Sequence, residues 1–267
     1  MFVLLLLIAG GVAAPTESPV TDRAWTVLKE GLAETNGDKR TQAVRALGLA
    51  GLSTQGMAEK ALTDPDRDVR SEAALALLEM NAITAKPKLR ECLDDKEVQV
   101  VLSCANTLYQ FKDPAAYEIY YALLTGDRRP GKGLLASQLD TLRDKKQVEK
   151  LAFETGIGFV PFGGAAWQAV KRVTKDDASP VRALAAERLA MDPQKNTTTA
   201  LTNYVTDKKP QVRDAVVRAI AHRGDPNLIN SLETLLNDDD ATVRYDAAAA
   251  VISLSAKSAK RSVKLKR

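Results

Sequence analysis

The chain carries one histidine, His222. Any mechanism or metal centre that needs two imidazoles is therefore excluded by inventory. Carboxylates are plentiful and run together at Asp94-Asp95 and at Asp238-Asp239-Asp240. Paired acids could do acid–base work, or hold calcium if further oxygens followed at defined spacing. Those oxygens are missing, and each run stands just ahead of an apolar helical pattern. Carboxylates in that place accept from the unpaired amides of a helix start and favour the positive end of its dipole, so both runs read as turn and cap residues. His222, in Ala221-His222-Arg223-Gly224, reads as a C-terminal helix residue. The loop Gly126-Asp127-Arg128-Arg129-Pro130-Gly131-Lys132 lacks the Gly-Lys-Ser/Thr ending of a phosphate-binding loop and reads as a solvated turn. No catalytic residue, metal or cofactor is assigned.

Cys92 and Cys104 stand on either side of one inter-helix turn. An antiparallel helix pair would bring them within roughly one to two helical turns of each other. Two separate buried thiols is the simpler reading, with Cys104 at a small-residue core position; an oxidised pair is the alternative in an exported protein.

The elements that carry these residues recur. Asp64 leads to Val69-Arg70 and then Ala73, Ala74 and Leu77; Asp176 leads to Val181-Arg182, Asp207 to Val212-Arg213 and Asp238 to Val243-Arg244, each followed by small and apolar residues at the same offsets. Asp95 leads to Val100-Val101, which keeps the apolar frame without the arginine, and Lys39-Arg40 begins a degenerate first copy. Val69 to Val100 is 31 residues, and Val181, Val212 and Val243 are again 31 apart. Each unit has a turn, a helix with apolar residues at i, i+4, i+5 and i+8, a break, and a second helix ending near Leu62, Leu93, Val205 or Leu236. Small residues at the centre of the first helix let neighbouring pairs approach and bury a continuous core. Ala- and Leu-rich composition, with aromatics at only 5%, suits packed helices better than sheets.

Over residues 34 to 256 this phrase resembles HEAT repeats, in particular the short bacterial form named after phycobilisome lyase subunits. The resemblance implies an all-α, right-handed α-solenoid of about six to seven helix pairs, with residues 20–256 forming one elongated stack. It also implies a ladder in which turn aspartates and helix arginines link successive repeats, assigned to Asp64, Asp176, Asp207 and Asp238 and to Arg70, Arg182, Arg213 and Arg244. Val101 and Lys132 depart from that pattern, so the ladder should weaken in the third and fourth repeats.

The 31-residue count predicts a fourth copy at Gly131-Lys132, yet Val181 lies 50 residues beyond, so about 19 residues are inserted near 153–171. They include Gly156-Ile157-Gly158-Phe159-Val160-Pro161-Phe162-Gly163-Gly164 and then Trp167. Such a loop should cover its own solenoid, a partner or a membrane surface. Tyr109, Tyr117 and Tyr120 gather in the third repeat. Rings at helix spacing are usually core, but on a solenoid surface they also anchor partners. Phe159, Pro161, Phe162, Trp167, Tyr109, Tyr117 and Tyr120 are therefore the candidate partner-binding residues.

Six of the 38 basic residues lie within 257–267, a segment without acids, which leaves 32 against 34 in the body. The overall charge of +4 thus reflects a tail, predicted to be disordered, and not a basic folded surface, and nucleic-acid binding loses its main support. The apolar run Phe2 to Val12, with Val12-Ala13-Ala14 at a cleavage-like site, reads as a signal peptide over residues 1–14. The expected location is periplasmic or secreted, with a membrane anchor if the leader stays uncleaved. Together these features predict a non-catalytic bacterial scaffold that binds another protein, with at most peripheral membrane contact through the tail or the 156–164 loop. The alternatives are an accessory or lyase-type enzyme subunit related to bilin lyases and, more distantly, a HEAT-like nucleic-acid-binding protein.

Overall fold

The computed structural model describes residues 18–119, 179–190 and 195–265. The expected leader, the insertion with Phe159, Pro161, Phe162 and Trp167, and also Tyr120, Lys132 and Asp176, lie outside the described residues.

Helices begin where a side chain can take the first free amides. Ser18 accepts from the Thr21 amide at the start of α1 (Pro19–Leu32), and Asn36 accepts from the Lys39 amide at the start of α2 (Gly37–Ala50). After α3 (Gln55–Ala61), Asp66 caps α4 (Arg67–Glu79) by accepting from the Asp68 amide. There follow α5 (Lys86–Glu91), α6 (Val98–Gln110), α7 (Ser179–Leu189) and α8 (Lys195–Asn203). The helix α9 (Pro210–Arg223) stops at Gly224, whose φ of 69° is the left-handed value that glycine takes without strain. A one-turn α10 (Ile229–Leu232) leads to α11 (Ala241–Leu265). No strand occurs among the described residues, and no described helix is long and apolar enough to cross a membrane.

First helices pack side by side in one layer, in the spatial order α7, α9, α11, α2, α4, α6. Second helices form the other layer, with α1 lying between α11 and α2. The spatial order differs from the order along the chain. The helix α1 does not open a first repeat; it is the second helix of the unit that α11 begins. Ala24 and Leu28 of α1 are fully buried, Thr21 Oγ1 lies 2.8 Å from Ser255 Oγ, and Arg23 pairs with Glu233 at 3.0 Å. A Cβ on Gly31 would fall 2.5 Å from the Tyr245 ring and 2.9 Å from Ala43 Cβ, so only glycine permits this approach of α1 to α11 and α2. The two halves of the chain thus meet mid-stack, and one core runs through both.

Residues 257–265, expected to be disordered, continue α11 as helix. One reason is visible at Lys257, whose amine donates to the Ala221 carbonyl at 3.2 Å and so serves the end of α9. Of the two readings of the cysteines the structure has the oxidised pair: Cys92 and Cys104 form a disulfide with a Cα–Cα distance of 6.2 Å. The short connection between α5 and α6 brings the start of one turn and the middle of the next helix to the separation that a disulfide needs.

Candidate functional site

Two charge systems tie the first helices together. The first is a ladder at the turns. Arg40 donates to both carboxylate oxygens of Asp64, at 3.1 and 2.9 Å, and Arg70 does the same to Asp95 at 2.7 and 3.0 Å. Arg182 reaches Asp207 at 3.1 Å twice, and Arg213 reaches Asp238 at 2.7 and 2.6 Å. Each is a two-pronged guanidinium–carboxylate pair joining one unit to the next. The same arginines turn inward to their own turn: Arg70 donates to the Asp64 carbonyl at 2.9 Å and Arg213 to the Asp207 carbonyl at 2.8 Å. The aspartates also accept from the backbone two residues on, as Asp238 does from the Asp240 amide at 2.9 Å. Burial pushes the Asp64 and Asp207 carboxyls up, but the bonds they accept outweigh it and hold both below the usual range.

Of the residues assigned to the ladder by sequence, Asp64, Arg70, Arg182, Asp207, Arg213 and Asp238 take rungs. Arg40 and Asp95 were not assigned and complete two of them; both stand in phase with the repeat. The expected weakness begins only after Asp95: Val101 offers no guanidinium, while Arg90 pairs with the nearby Asp113 at 2.6 Å. Arg244 is the exception. It donates to the Asp238 carbonyl and lies over the Tyr245 ring at 5.3 Å, and no carboxylate among the described residues pairs with it. Its rung would have crossed the seam between α11 and α2, where the turn acid Glu34 pairs instead with Lys39 at 3.4 Å.

The second system occupies that seam. Counted from the turn acids Glu34, Asp64, Asp207 and Asp238, Gln42, Glu72 and Asp246 stand at +8, Asp214 at +7, Arg45 and Arg218 at +11, and Glu79 and His222 at +15. These offsets fall on one helical face. Arg45 reaches Asp246 at 3.0 Å and Asp214 at 3.6 Å; Arg218 reaches Asp246 at 3.1 Å and Glu79 at 2.7 Å. The Arg218–Glu79 bond passes over α11 and α2, so the layer bends until α9 and α4 confront each other across a charged hub. Asp246 is fully buried, and its Oδ2 takes both arginines while Oδ1 has no donor. Gln42 Oε1 and Asp214 Oδ1 are likewise buried without a donor.

Burial, with Glu79 and Asp246 nearby, pushes the Glu72 carboxyl up to about 7. Burial and the neighbouring negative charge of Asp246 push Asp214 up to about 7. Desolvation opposes the charge on Arg218, yet Glu79 and Asp246 raise it further above its ordinary value. Burial and Arg218 lower His222, which disfavours the imidazolium. The hub can therefore take up and release protons near neutrality; the repeat-by-repeat reading of apolar frame positions missed it, although the register of its polar residues was there to be counted.

Among the partner-binding candidates, Tyr109 and Tyr117 meet edge to face at 5.9 Å, and both are about half exposed. His222 ends α9 as expected, although the capping itself is done by Gly224 and Lys257. Asp240 accepts from the Thr242 and Val243 amides at the start of α11, the role read for its acidic run.

A layered stack of 31-residue helix pairs joined by Arg–Asp rungs is an α-solenoid repeat protein. The chain belongs to the HEAT repeat family: the family model described as HEAT repeats matches residues 25–108, 54–131 and 168–252, more than half of the chain. Folds of this kind are typically repeat scaffolds that bind other proteins. Two crystal structures of engineered proteins are similar at 18% and 21% identity, covering 90% and 89% of this chain and 98% and 99% of theirs, each with a TM-score of 0.27. A designed armadillo repeat protein is similar at 16% identity, covering 88% of this chain and 99% of its own, with a TM-score of 0.23. No curated protein shows significant similarity to the chain.

Proposed function

We propose that the chain is an exported, non-catalytic scaffold that holds another protein. The observation that carries the reading is the stack itself: α11 and α1 complete one unit, charged pairs tie neighbouring first helices together, and an edge-to-face tyrosine pair, Tyr109 and Tyr117, stands half exposed in the unit that α6 begins. Exposed aromatic pairs on a rigid support bury large area at low entropic cost, which suits a partner anchor. Export is supported by the apolar leader and by the Cys92–Cys104 bond, since disulfides persist in oxidising compartments. The Phe159–Phe162 loop is the second proposed contact.

The test is affinity capture of the mature protein from an envelope fraction, using the wild type, a Tyr109→Ala/Tyr117→Ala variant and a Phe159→Ser/Phe162→Ser variant. Loss of a specific partner with unchanged melting supports the scaffold. Capture at full strength in both variants overturns these contacts, and an uncleaved intracellular chain overturns export.

A further inference from the structure

The hub sits where the chain's two halves join, and the joint is built differently from every other in the layer. Elsewhere an Arg–Asp rung at the turn fixes neighbouring first helices. Between α11 and α2 that rung is missing among the described residues, where Arg244 meets no carboxylate. The polar ties that cross the seam are instead Arg45 to Asp246 and Asp214, Arg218 to Glu79, Arg23 to Glu233, and the Thr21–Ser255 hydroxyl pair. Arg23 and Glu233 are exposed, so that pair contributes little. The hub carries the electrostatic part of the closure.

Its charges balance only when protons are present. Gln42 and Arg45 face it from α2, Glu72 and Glu79 from α4, Asp214, Arg218 and His222 from α9, and Asp246 from α11, with Lys257 of α11 beyond His222 at the Ala221 carbonyl. No charged group of α1 bonds into it. Four carboxylates thus stand against two guanidiniums. With Glu72 and Asp214 protonated, Glu79 and Asp246 balance Arg45 and Arg218. A proton on Asp214 also provides a donor where Asp214 Oδ1 and Asp246 Oδ1 have none. When both protons leave, the hub holds two negative charges more than its guanidiniums balance, Glu72 beside Glu79 and Asp246 and Asp214 beside Asp246, and such charges are costly in a partly dry space unless water or movement relieves them.

We propose that the seam of α11 with α1 and α2 is a proton-controlled clasp, closed while the hub holds its protons and loosened when they leave, so that the two halves of the stack part at this joint. Burial that brings Glu72 and Asp214 into the neutral range places the change near physiological pH.

Hydrogen exchange of the full chain at pH 5.5 and 8.0, normalised for the intrinsic pH dependence of amide exchange, tests this. Peptides from α1, α2 and the first half of α11 should lose protection by about tenfold or more at the higher pH, the change that one unit of proton affinity delivers, while α4 against α6 keeps its protection. Glu72→Gln and Asp214→Asn put a neutral, hydrogen-bonding amide in place of the protonated acid and should hold the seam closed at both pH values. Spin labels at the exposed Arg67 and Gln211, on α4 and α9, should move apart at pH 8.0 in the wild type and not in Glu72→Gln, which carries the test if Asp214→Asn does not fold. Protection that is unchanged at the seam, a loss shared equally by α4 and α6, or amide variants that keep the wild-type pH response would each overturn the clasp.

Discussion

Thr21 and Ser255 stand 234 positions apart in the chain and 2.8 Å apart in the fold. The contact follows from two half-repeats that complete each other. Among the described residues α11 is a first helix, and α1 packs against it and α2 in the place of its second helix. Neither half-unit can bury its apolar face alone, and the stack resolves both by joining them. Leu28, fully buried in α1, should therefore behave as a core residue and not as part of a fraying terminus. Leu28→Ala is expected to cost about 2–5 kcal/mol, as for a buried leucine elsewhere. Urea midpoints for Leu28→Ala and Leu77→Ala, compared with wild type, check it; a shift for Leu28→Ala within error of zero would show that α1 is not docked.

The rung from Arg213 to Asp238 combines two short bonds with a third to the Asp207 carbonyl, and both charged groups are largely buried. Removing the guanidinium leaves the Asp238 carboxylate without its partner. Arg213→Ala should lower stability by on the order of 1–3 kcal/mol, while Lys208→Ala, at an exposed neighbouring position, should change it by less than about 0.5 kcal/mol. Equal denaturation midpoints for the two variants would count against the rung.

The repeat length, the helix pairs and most of the rung residues were legible in the sequence because stacking constrains the same offsets in each unit. The partner of each rung was less so. Arg213 lies beside Asp207 in the chain, but its carboxylate partner belongs to the following turn, and only the pitch of the stack decides that. The mid-stack meeting of the termini was hidden because the apolar stripe of α1 says that Ala24 and Leu28 are buried without saying against what. The hub was hidden for another reason: Arg45, Asp214 and Asp246 sit at mid-helix polar positions that look solvated in one unit, and only bending of the layer brings them together.

Reduction of the Cys92–Cys104 bond should loosen the third unit first. The bond closes a short loop across the α5–α6 turn, with a sequence separation of 12, and Cys104 is fully buried in the core. A loop of this size is worth about 3 kcal/mol through the entropy of the unfolded chain. Melting in the presence and absence of a reductant is expected to differ by several degrees, and Cys92→Ser/Cys104→Ala should melt at the reduced value without further response to reductant. An identical melting curve for reduced and oxidised protein would mean that the bond does not form in solution.

The last prediction concerns the pH profile of stability, in which the two charge systems pull in opposite directions. Asp64, Asp113 and Asp207 are held below the usual carboxylate range, so the native state releases their protons more readily than the unfolded chain. Their contribution is present above the unfolded value near 4 and is lost as pH falls through the folded values. Glu72 and Asp214 have the reverse sign. Between about pH 4, where they would ionise in the unfolded chain, and about 7, where they ionise in the hub, the native state binds more protons, so stability falls as pH rises and then levels off. The sum is a maximum on the acid side of neutrality, near pH 5. Chemical denaturation from pH 3 to 9 should show it, and Glu72→Gln should raise stability at pH 8 relative to wild type while changing it little at pH 4, because the amide mimics the protonated acid and carries no charge to bury. A wild-type profile that climbs steadily from pH 4 to 8, or a Glu72→Gln variant that is destabilised equally at both ends, would mean that the hub acids are ionised throughout and that their burial is compensated by the arginines alone.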